Sequence, residues 1–369
     1  LASSKKTHRN CCYKPAVVGE KRALRYNIPI MIDGYKQQLG LMATERGIKL
    51  IKDTFEQELS RGLDLQRVSA PKFLEVGDGL QDDLAGTQEP VSFRVKHRPA
   101  NIEIVHSLAK WKRMALSRYG FAPDTGLYTD MDAIRKDEDV SEIHSIYVDQ
   151  WDWEKRITPE YRNLDYLKET VRSIYLAMRK TEQIVHEAFP IIEPRMPHQI
   201  TFIHSAELEK RWPEHTPKER EELAAKEYGA FFLIGIGAKL ASGKPHDLRA
   251  ADYDDWITEN SDGYQGLNGD IIVFDHTRGR AMELSSMGIR VSPESLKAQL
   301  SEMGQEERLS WSFHRGVIDG SIPLSIGGGI GQSRLCMLLL HKMHIGEVQA
   351  SIWPDSMIEE YAKIGVSFL

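Results

Sequence analysis

The sequence predicts an α+β fold, a mostly antiparallel sheet with helices packed on it. Four apolar, β-rich runs, HQITFIHS, AFFLIGIG, GDIIVFD and AMELSSMGIRV, follow one another without the strand–helix alternation at crossover spacing that a parallel sheet requires. Helical patterns are present but do not separate every pair of those runs, which favours an antiparallel sheet flanked by helices. No internal repeat or low-complexity linker divides residues 41–369, which reads as a single domain behind an extension over residues 1–40.

That extension carries seven Lys or Arg against one acid, Glu20, within its first thirty residues, and shows no amphipathic period. It reads as disordered or loosely docked; a transit peptide is the competing reading of the same composition. Order is expected to begin near Thr44, where Ile48, Ile51, Phe55 and Leu59 recur at three- and four-residue steps and give a helix that ends at Gly62. The stretch LDLQRVSAPKFLEVGDG then reads as strand. A second helix is expected from about Leu164 to Phe189, with Leu164, Leu167, Val171, Ile174 and Met178 on one face and Pro190 beyond its end. A third follows Thr216, where Pro217 and Glu219 complete a capping box and Gly229 closes the helix.

Composition narrows the function. Of 369 residues, 41% are hydrophobic and 28% charged, ordinary for a globular chain, and the net charge of −6 offers no general attraction for a nucleic acid. No apolar run approaches the roughly 20 residues that span a bilayer. Three cysteines, Cys11, Cys12 and Cys336, suit a reducing compartment, and the localisation is read as cytoplasmic; Cys336 lies within an apolar helix and reads as core.

Five clusters gather reactive side-chain types. In VGDGLQDDLAG, Asp82 and Asp83 follow a glycine turn, as solvated loop acids do, or as a partner for a substrate ammonium would. In VHSLAKWKRMAL, Ser107, Lys110, Lys112 and Arg113 form a basic helix face, either solvent-exposed or turned to polyphosphate. AIRKDED supplies Arg135, and HSIYVDQWDWE has a strand rhythm that sets Gln150 and Asp152 on one face. PHDLRAADYDDW crowds Arg249, Asp252, Tyr253, Asp254 and Asp255 into seven residues, a common look for a surface loop. NGDIIVFD and AMELSSMGIRV place Asp270 and Glu283 on two apolar strands, where paired carboxylates invite a magnesium ion, with Arg290 facing the same cavity. Beyond them SIGGGIGQSRL sets four glycines before Arg334. Such a loop lets main-chain amides approach a ligand, and a helix opening at Gln332 or Ser333 would aim its positive end at an anion such as phosphate; a tight turn is the alternative.

These stretches together resemble the ammonia-dependent (type A) asparagine synthetases, with class II aspartyl- and asparaginyl-tRNA synthetases as more distant relatives. The resemblance covers roughly residues 40–355 and is most specific in VDQWDWE and ELSSMGIR. It implies a class II aminoacyl-tRNA synthetase-like antiparallel β-sheet flanked by helices, usually a homodimer, with LDLQRVSAPKFLEV as the motif whose strand and proline, here Pro71, lie at the dimer interface. By the same matching Arg135 would hold the ATP α-phosphate and the attacking carboxylate oxygen. Gly327, Gly329, Gly331 and Arg334 would meet the nucleotide. Asp270 and Glu283 would bind ATP and Mg2+, and Asp82 the amino group of the substrate. Ser107, Gln150, Asp152, Asp254, Ser286 and Arg290 would line the amino-acid pocket. One departure is that the tRNA synthetases carry glutamate two places after the motif arginine, whereas Lys136 and Asp137 here precede Glu138.

The resemblance therefore implies that aspartate attacks ATP to give a β-aspartyl adenylate and pyrophosphate, and that ammonia then releases AMP and asparagine. Arg135, Asp82 and Gln150 would stand at the chemistry, and Gln150, Asp152 and Asp254 are the candidates for orienting ammonium. No thiol suits a glutaminase nucleophile, which favours free ammonia. The alternatives are a tRNA synthetase, which would be expected to carry an anticodon-binding barrel where only about 40 mostly unpatterned residues precede the first helix, and a catalytically silent ligand-binding relative. Aspartate, ammonia, ATP and a second copy of the chain are the expected partners, with no nucleic acid and no membrane.

Overall fold

The computed structural model describes residues 34–82, 84 and 88–369. The basic segment with Cys11 and Cys12, and Asp83, lie outside the described residues. In chain order the elements are α1 (Leu41–Leu63), β1 (Leu65–Arg67), β2 (Phe73–Glu75), β3 (Ser92–Arg94), β4 (Asn101–Ile104), α2 (Ala109–Arg118), β5 (Gly126–Ile134), β6 (Tyr147–Arg156), α3 (Leu164–Ala188), β7 (Thr201–His204), α4 (Ser205–Arg211), α5 (Pro217–Tyr228), β8 (Ala230–Ile234), β9 (Asn268–Asp275), β10 (Arg280–Ile289), α6 (Pro293–Glu302), α7 (Ser312–Ile318), β11 (Ser325–Gly331), α8 (Gln332–Leu339) and α9 (Asp355–Lys363).

The helices follow the local code. In α1 the buried residues Ile51, Phe55, Leu59 and Leu63 recur at four-residue steps. It starts three residues before Thr44 and passes Gly62, because the left-handed turn that stops it is made by Asp64, at φ 55°. Helix α3 opens at Asn163, whose side chain accepts the amide of Tyr166, and α5 shows the Thr216–Glu219 capping box and ends at Gly229.

Eight strands form one sheet in the order β1-β5-β6-β11-β10-β9-β8-β7, and β2-β4-β3 form a separate small one. In the large sheet the outermost pairs, β1 with β5 and β7 with β8, are parallel and all the others antiparallel, as the run pattern leads one to expect. One face buries Trp151 and Trp153 of β6 and Met282, Leu284, Met287 and Ile289 of β10 against α1, α3 and α8, with Cys336 fully buried among them. The other face is covered at its two ends by smaller apolar clusters, one with α2, α6 and α7 and one with α4 and α5. Between those clusters the middle of the sheet is polar, because the residues alternating with Trp151 and Trp153 are Gln150, Asp152 and Glu154. Among the described residues no helix is long and apolar enough to cross a membrane.

Candidate active site

A cavity of about 500 Å³ opens on that polar middle. Asp82, Ser107, Arg135, Gln150, Asp152, Asp254, Glu283, Ser286, Arg290, Gly329, Gly331 and Arg334 all line it. Gly327 and Asp270 sit just behind the wall rather than on it, each for a visible reason. Gly327 faces Glu154 across β11 and β6, and a Cβ there would collide with the Glu154 carboxylate and the Arg290 guanidinium. A Cβ at Gly329 would collide with Gln150 and reach Asp152. Ser325–Gly331 is thus a strand rather than a loop, and its glycines clear space for the protein's own polar side chains on β6.

Those side chains form closed ion pairs. Arg290 donates from Nε to both carboxylate oxygens of Glu154, at 3.0 and 3.1 Å, from Nη2 to Oε2 at 2.8 Å, and from Nη1 to Asp254. Ser325 Oγ donates to the same glutamate at 2.6 Å. Burial works against the charge on Arg290, but Glu154 and Asp254 overcome it and hold its pKa above the usual range. Lys112 donates to Asp152 Oδ1 and to the carbonyl of Gly328, each at 2.7 Å. The basic face of α2 is therefore neither exposed nor turned to phosphate. Lys110 also points inward, to Asp252, which His314 Nε2 meets at 3.0 Å. The PHDLRAADYDDW cluster is likewise no surface loop, since Asp252, Asp254 and Asp255 are buried.

The opposite end holds arginines anchored on main-chain carbonyls. Arg135 donates to the carbonyl of His106 at 3.3 Å, and Arg334 to those of Glu283 at 3.0 Å and Ile143 at 3.4 Å. Glu138 shares this wall and accepts from Gln88 at 3.1 Å. Glu283 and Ser286, three apart on β10, both face the cavity because the pairing with β9 skips a residue between Glu283 and Ser285. Asp270, opposite Ser286, meets Arg249 Nη2 at 2.5 Å. Burial and the nearby Glu283 push the Asp270 carboxyl up to about 7 against the pull of Arg249. Burial pushes Glu283 the same way, but Arg334, Lys218 and Arg249 more than offset it and its pKa is lowered. Among the described residues no group of three or more His, Cys, Asp or Glu could hold a metal ion. Two carboxylates on neighbouring strands instead match Mg2+ arriving with phosphates, which takes one or two carboxylates and fills its shell with phosphate oxygens and water.

Helix α8 opens at Gln332, as expected, but its amino end is already capped. Asp149 accepts from the Ser333 amide at 3.0 Å and the Ser333 hydroxyl at 2.8 Å, and pairs with Lys52 at 3.2 Å. The anion at this helix end is a protein carboxylate, which leaves Arg334 as the group on this segment that can meet a phosphate.

A sequence profile described as aspartate-ammonia ligase matches residues 42–365. The chain belongs to the aspartate-ammonia ligase family. It is 53% identical to an aspartate–ammonia ligase of Parabacteroides distasonis over 91% of this chain and 98% of that one. To one from Clostridium perfringens it is 56% identical over 88% and 94%. Among solved structures it is similar to asparaginyl-tRNA synthetase from Pyrococcus horikoshii complexed with asparaginyl-adenylate, with a TM-score of 0.61 and 15% identity over 84% of this chain and 70% of that one. Aspartyl-tRNA synthetase from Entamoeba histolytica gives a TM-score of 0.54 at 17% identity over 83% and 57%. At such identities the likeness establishes the class II synthetase fold.

Three groups at or behind this ligase's cavity have partners that the sequence does not announce. Lys112, expected on a face either solvent-exposed or turned to polyphosphate, and Arg249, expected in a surface loop, both line the cavity, and Glu154 lies behind it against Arg290. Lys112 finds its partner 40 residues away and Arg290 finds Glu154 at a separation of 136. No local pattern reports such pairings. The available signal was the β6 alternation, which puts Glu154 on the face of Gln150 and Asp152.

Proposed function

We propose that this cavity joins ammonia to the side-chain carboxylate of L-aspartate, with ATP cleaved to AMP and pyrophosphate. The observation that carries the reading is one hollow with two unlike ends: carbonyl-anchored Arg135 and Arg334 at one, and the Lys112–Asp152 and Arg290–Glu154–Asp254 pairs at the other. A β-carboxylate oxygen of aspartate attacks the α-phosphorus and pyrophosphate leaves. Ammonia then attacks the acyl carbon of the aspartyl adenylate, and AMP departs with the bond electrons. The first step converts a poor leaving group into a good one; the protein supplies position and charge.

Arg135 neutralises charge gathering on the α-phosphate, and Arg334 faces the nucleotide from the other side. Asp82 takes the substrate ammonium and Arg290 its α-carboxylate, which leaves only the side chain free to reach phosphorus. A Mg2+ ion held by Asp270 and Glu283 would screen the polyphosphate. Of the three groups able to orient ammonia, Asp254 is engaged by Arg290, whereas Lys112 takes only Oδ1 of Asp152 and leaves Oδ2 without a hydrogen-bond partner, which favours Gln150 and Asp152. Dimer formation belongs to the same reading. β1 is an edge strand, and Phe73, Val76, Phe93 and Val95 expose apolar surface on the segments that follow it. Sedimentation should give twice the chain mass, and a monomer at micromolar concentration would remove that part.

The deciding assay is incubation with aspartate, ATP, magnesium and ammonium in the absence of tRNA. Asparagine and AMP are expected in equal amounts. Product found only as aminoacyl-tRNA would point to a tRNA synthetase, and no turnover to a silent ligand-binding relative.

A further inference from the structure

Arg249 lines the cavity together with Arg135, Arg290 and Arg334. It lies on the connection between β8 and β9, a segment that folds back as a small hairpin bridged between Lys239 and Pro245. Asp247, Leu248, Arg249 and Ala250 of this segment line the cavity, and Leu248 is exposed at its rim. The hairpin departs from the sheet through Gly237, at φ 99°, where a side chain would strike Trp256 and the Cβ of Arg249 itself. Behind it the carbonyl of Ala250 accepts from Trp256 Nε1 at 3.2 Å. The backbone beside Arg249 is thus pinned, while its long side chain lines the cavity.

Three carboxylates act on that side chain. Asp270 is 2.5 Å from Nη2, Asp254 is 3.7 Å from Nε, and Glu283 lies within electrostatic range. Nε itself makes no hydrogen bond. Asp254 is already committed to Arg290, so the contact that fixes Arg249 is the one to Asp270. Asp270 is also one of the two carboxylates assigned above to the nucleotide's Mg2+, and a divalent ion on it would stand against the guanidinium. Two cations on one carboxylate repel, so a divalent ion on Asp270 would weaken the grip of that carboxylate on Arg249. The adenylation step places negative charge on departing pyrophosphate, next to the same two carboxylates. A guanidinium freed there has a bidentate partner waiting.

We propose that Arg249 is a third phosphate-binding arginine, and that its guanidinium and a divalent cation are alternative partners of Asp270. When the ion takes Asp270 and Glu283, Arg249 turns into the cavity and binds the pyrophosphate portion of the nucleotide. It thereby links metal arrival to closure of the polyphosphate end. The inference rests on the assignment of Asp270 and Glu283 to the metal.

The test pairs two equilibrium measurements, Mn2+ binding to the protein alone by electron paramagnetic resonance and pyrophosphate binding in Mg2+ by calorimetry. Arg249→Met should bind Mn2+ about tenfold more tightly and pyrophosphate about tenfold more weakly than wild type, shifts in opposite directions of one logarithm each. A residue that merely braced the hairpin would weaken both. Arg249→Lys, which keeps the charge, should recover part of the pyrophosphate binding. Asp270→Asn leaves Arg249 in place and guards against misfolding of the first variant: it should lose Mn2+ yet bind metal-free pyrophosphate more tightly than wild type. Unmoved or jointly weakened constants in Arg249→Met, with normal Mn2+ and ATP binding by wild type, would overturn the proposal alone. Wild type that binds no Mn2+ even with ATP would overturn it together with the metal assignment.

Discussion

At the end of the cavity assigned to aspartate, Lys112 and Arg290 are each locked on carboxylates that the protein itself supplies, whereas at the polyphosphate end Arg135 and Arg334 lean on main-chain carbonyls. The difference is one of charge. A carbonyl orients a guanidinium without cancelling it, and the Glu283 carboxylate stands 3.9 Å from Arg334, so these arginines are held loosely enough to meet an incoming anion. A buried carboxylate fixes both geometry and net charge, which suits the recognition of a small zwitterion whose own charges nearly cancel. One end is held throughout by buried carboxylates, whereas the other mixes carbonyl-anchored arginines with Arg249, which is paired to Asp270.

If that contrast is right, damage at the two ends should look different. Glu154→Gln removes the carboxylate that Arg290 grips through Nε and Nη2. The expected loss is about 3–5 kcal/mol of stability by urea unfolding, with KM for aspartate raised and KM for ATP little changed. A stable variant with a weaker ATP site would break the comparison. Arg135→Ala should do the reverse, lowering kcat by about 10²–10³-fold with an unfolding midpoint close to wild type; near-normal turnover would show that Arg135 does not serve the transition state.

Two glycines of β11 offer a smaller, sharper comparison. Gly327→Ala forces a methyl group into the Glu154–Arg290 pair and should cost about 1–3 kcal/mol, as overpacking does. Gly331→Ala comes no nearer than 3.3 Å to a neighbour, the flexible side chain of Arg334, and should be tolerated in stability. Equal effects would mean that the floor is not the rigid end.

The pH dependence should be the mildest effect within the working range. Burial, helped by Arg334, pushes the His144 imidazole down to about 4, and burial pushes His341 to about 4 and His344 to about 3. The folded protein therefore refuses protons that the unfolded chain accepts near 6.5. Stability should be level above that value and fall as pH drops from about 6.5 towards 4. His144, which lies beside Arg334, should stay neutral from about pH 6 to 8, so the group at the polyphosphate end that changes charge across that range is Asp270. A step in kcat near pH 6.5 that disappears in His144→Asn would contradict this.

Much of the fold was legible because its determinants are local. The Thr216 capping box, the four-residue stripe of α1 and the alternation of β6 each lie within one short window, and each predicts its element. Site residues named from motifs mostly face one hollow, since strand alternation already sorts Gln150 and Asp152 onto one side. The misreadings share a cause. The α2 lysines and the Asp252–Asp255 cluster look like solvated surface in sequence, because a charged residue reveals its burial only through partners far along the chain.

What the amino-acid order determined alone was the set of elements, the polar stripe of β6 and the chemistry available to the cavity. Tertiary structure decided which charge meets which. It closed Lys112 on Asp152 and Arg290 on Glu154, capped α8 with Asp149 instead of a phosphate, turned the glycine run into a strand that makes room for neighbouring side chains, and set Arg249 on Asp270. Covalent neighbours and helical or strand periods act over a few residues, whereas ion pairing depends on distances that exist only after the sheet has brought distant segments together.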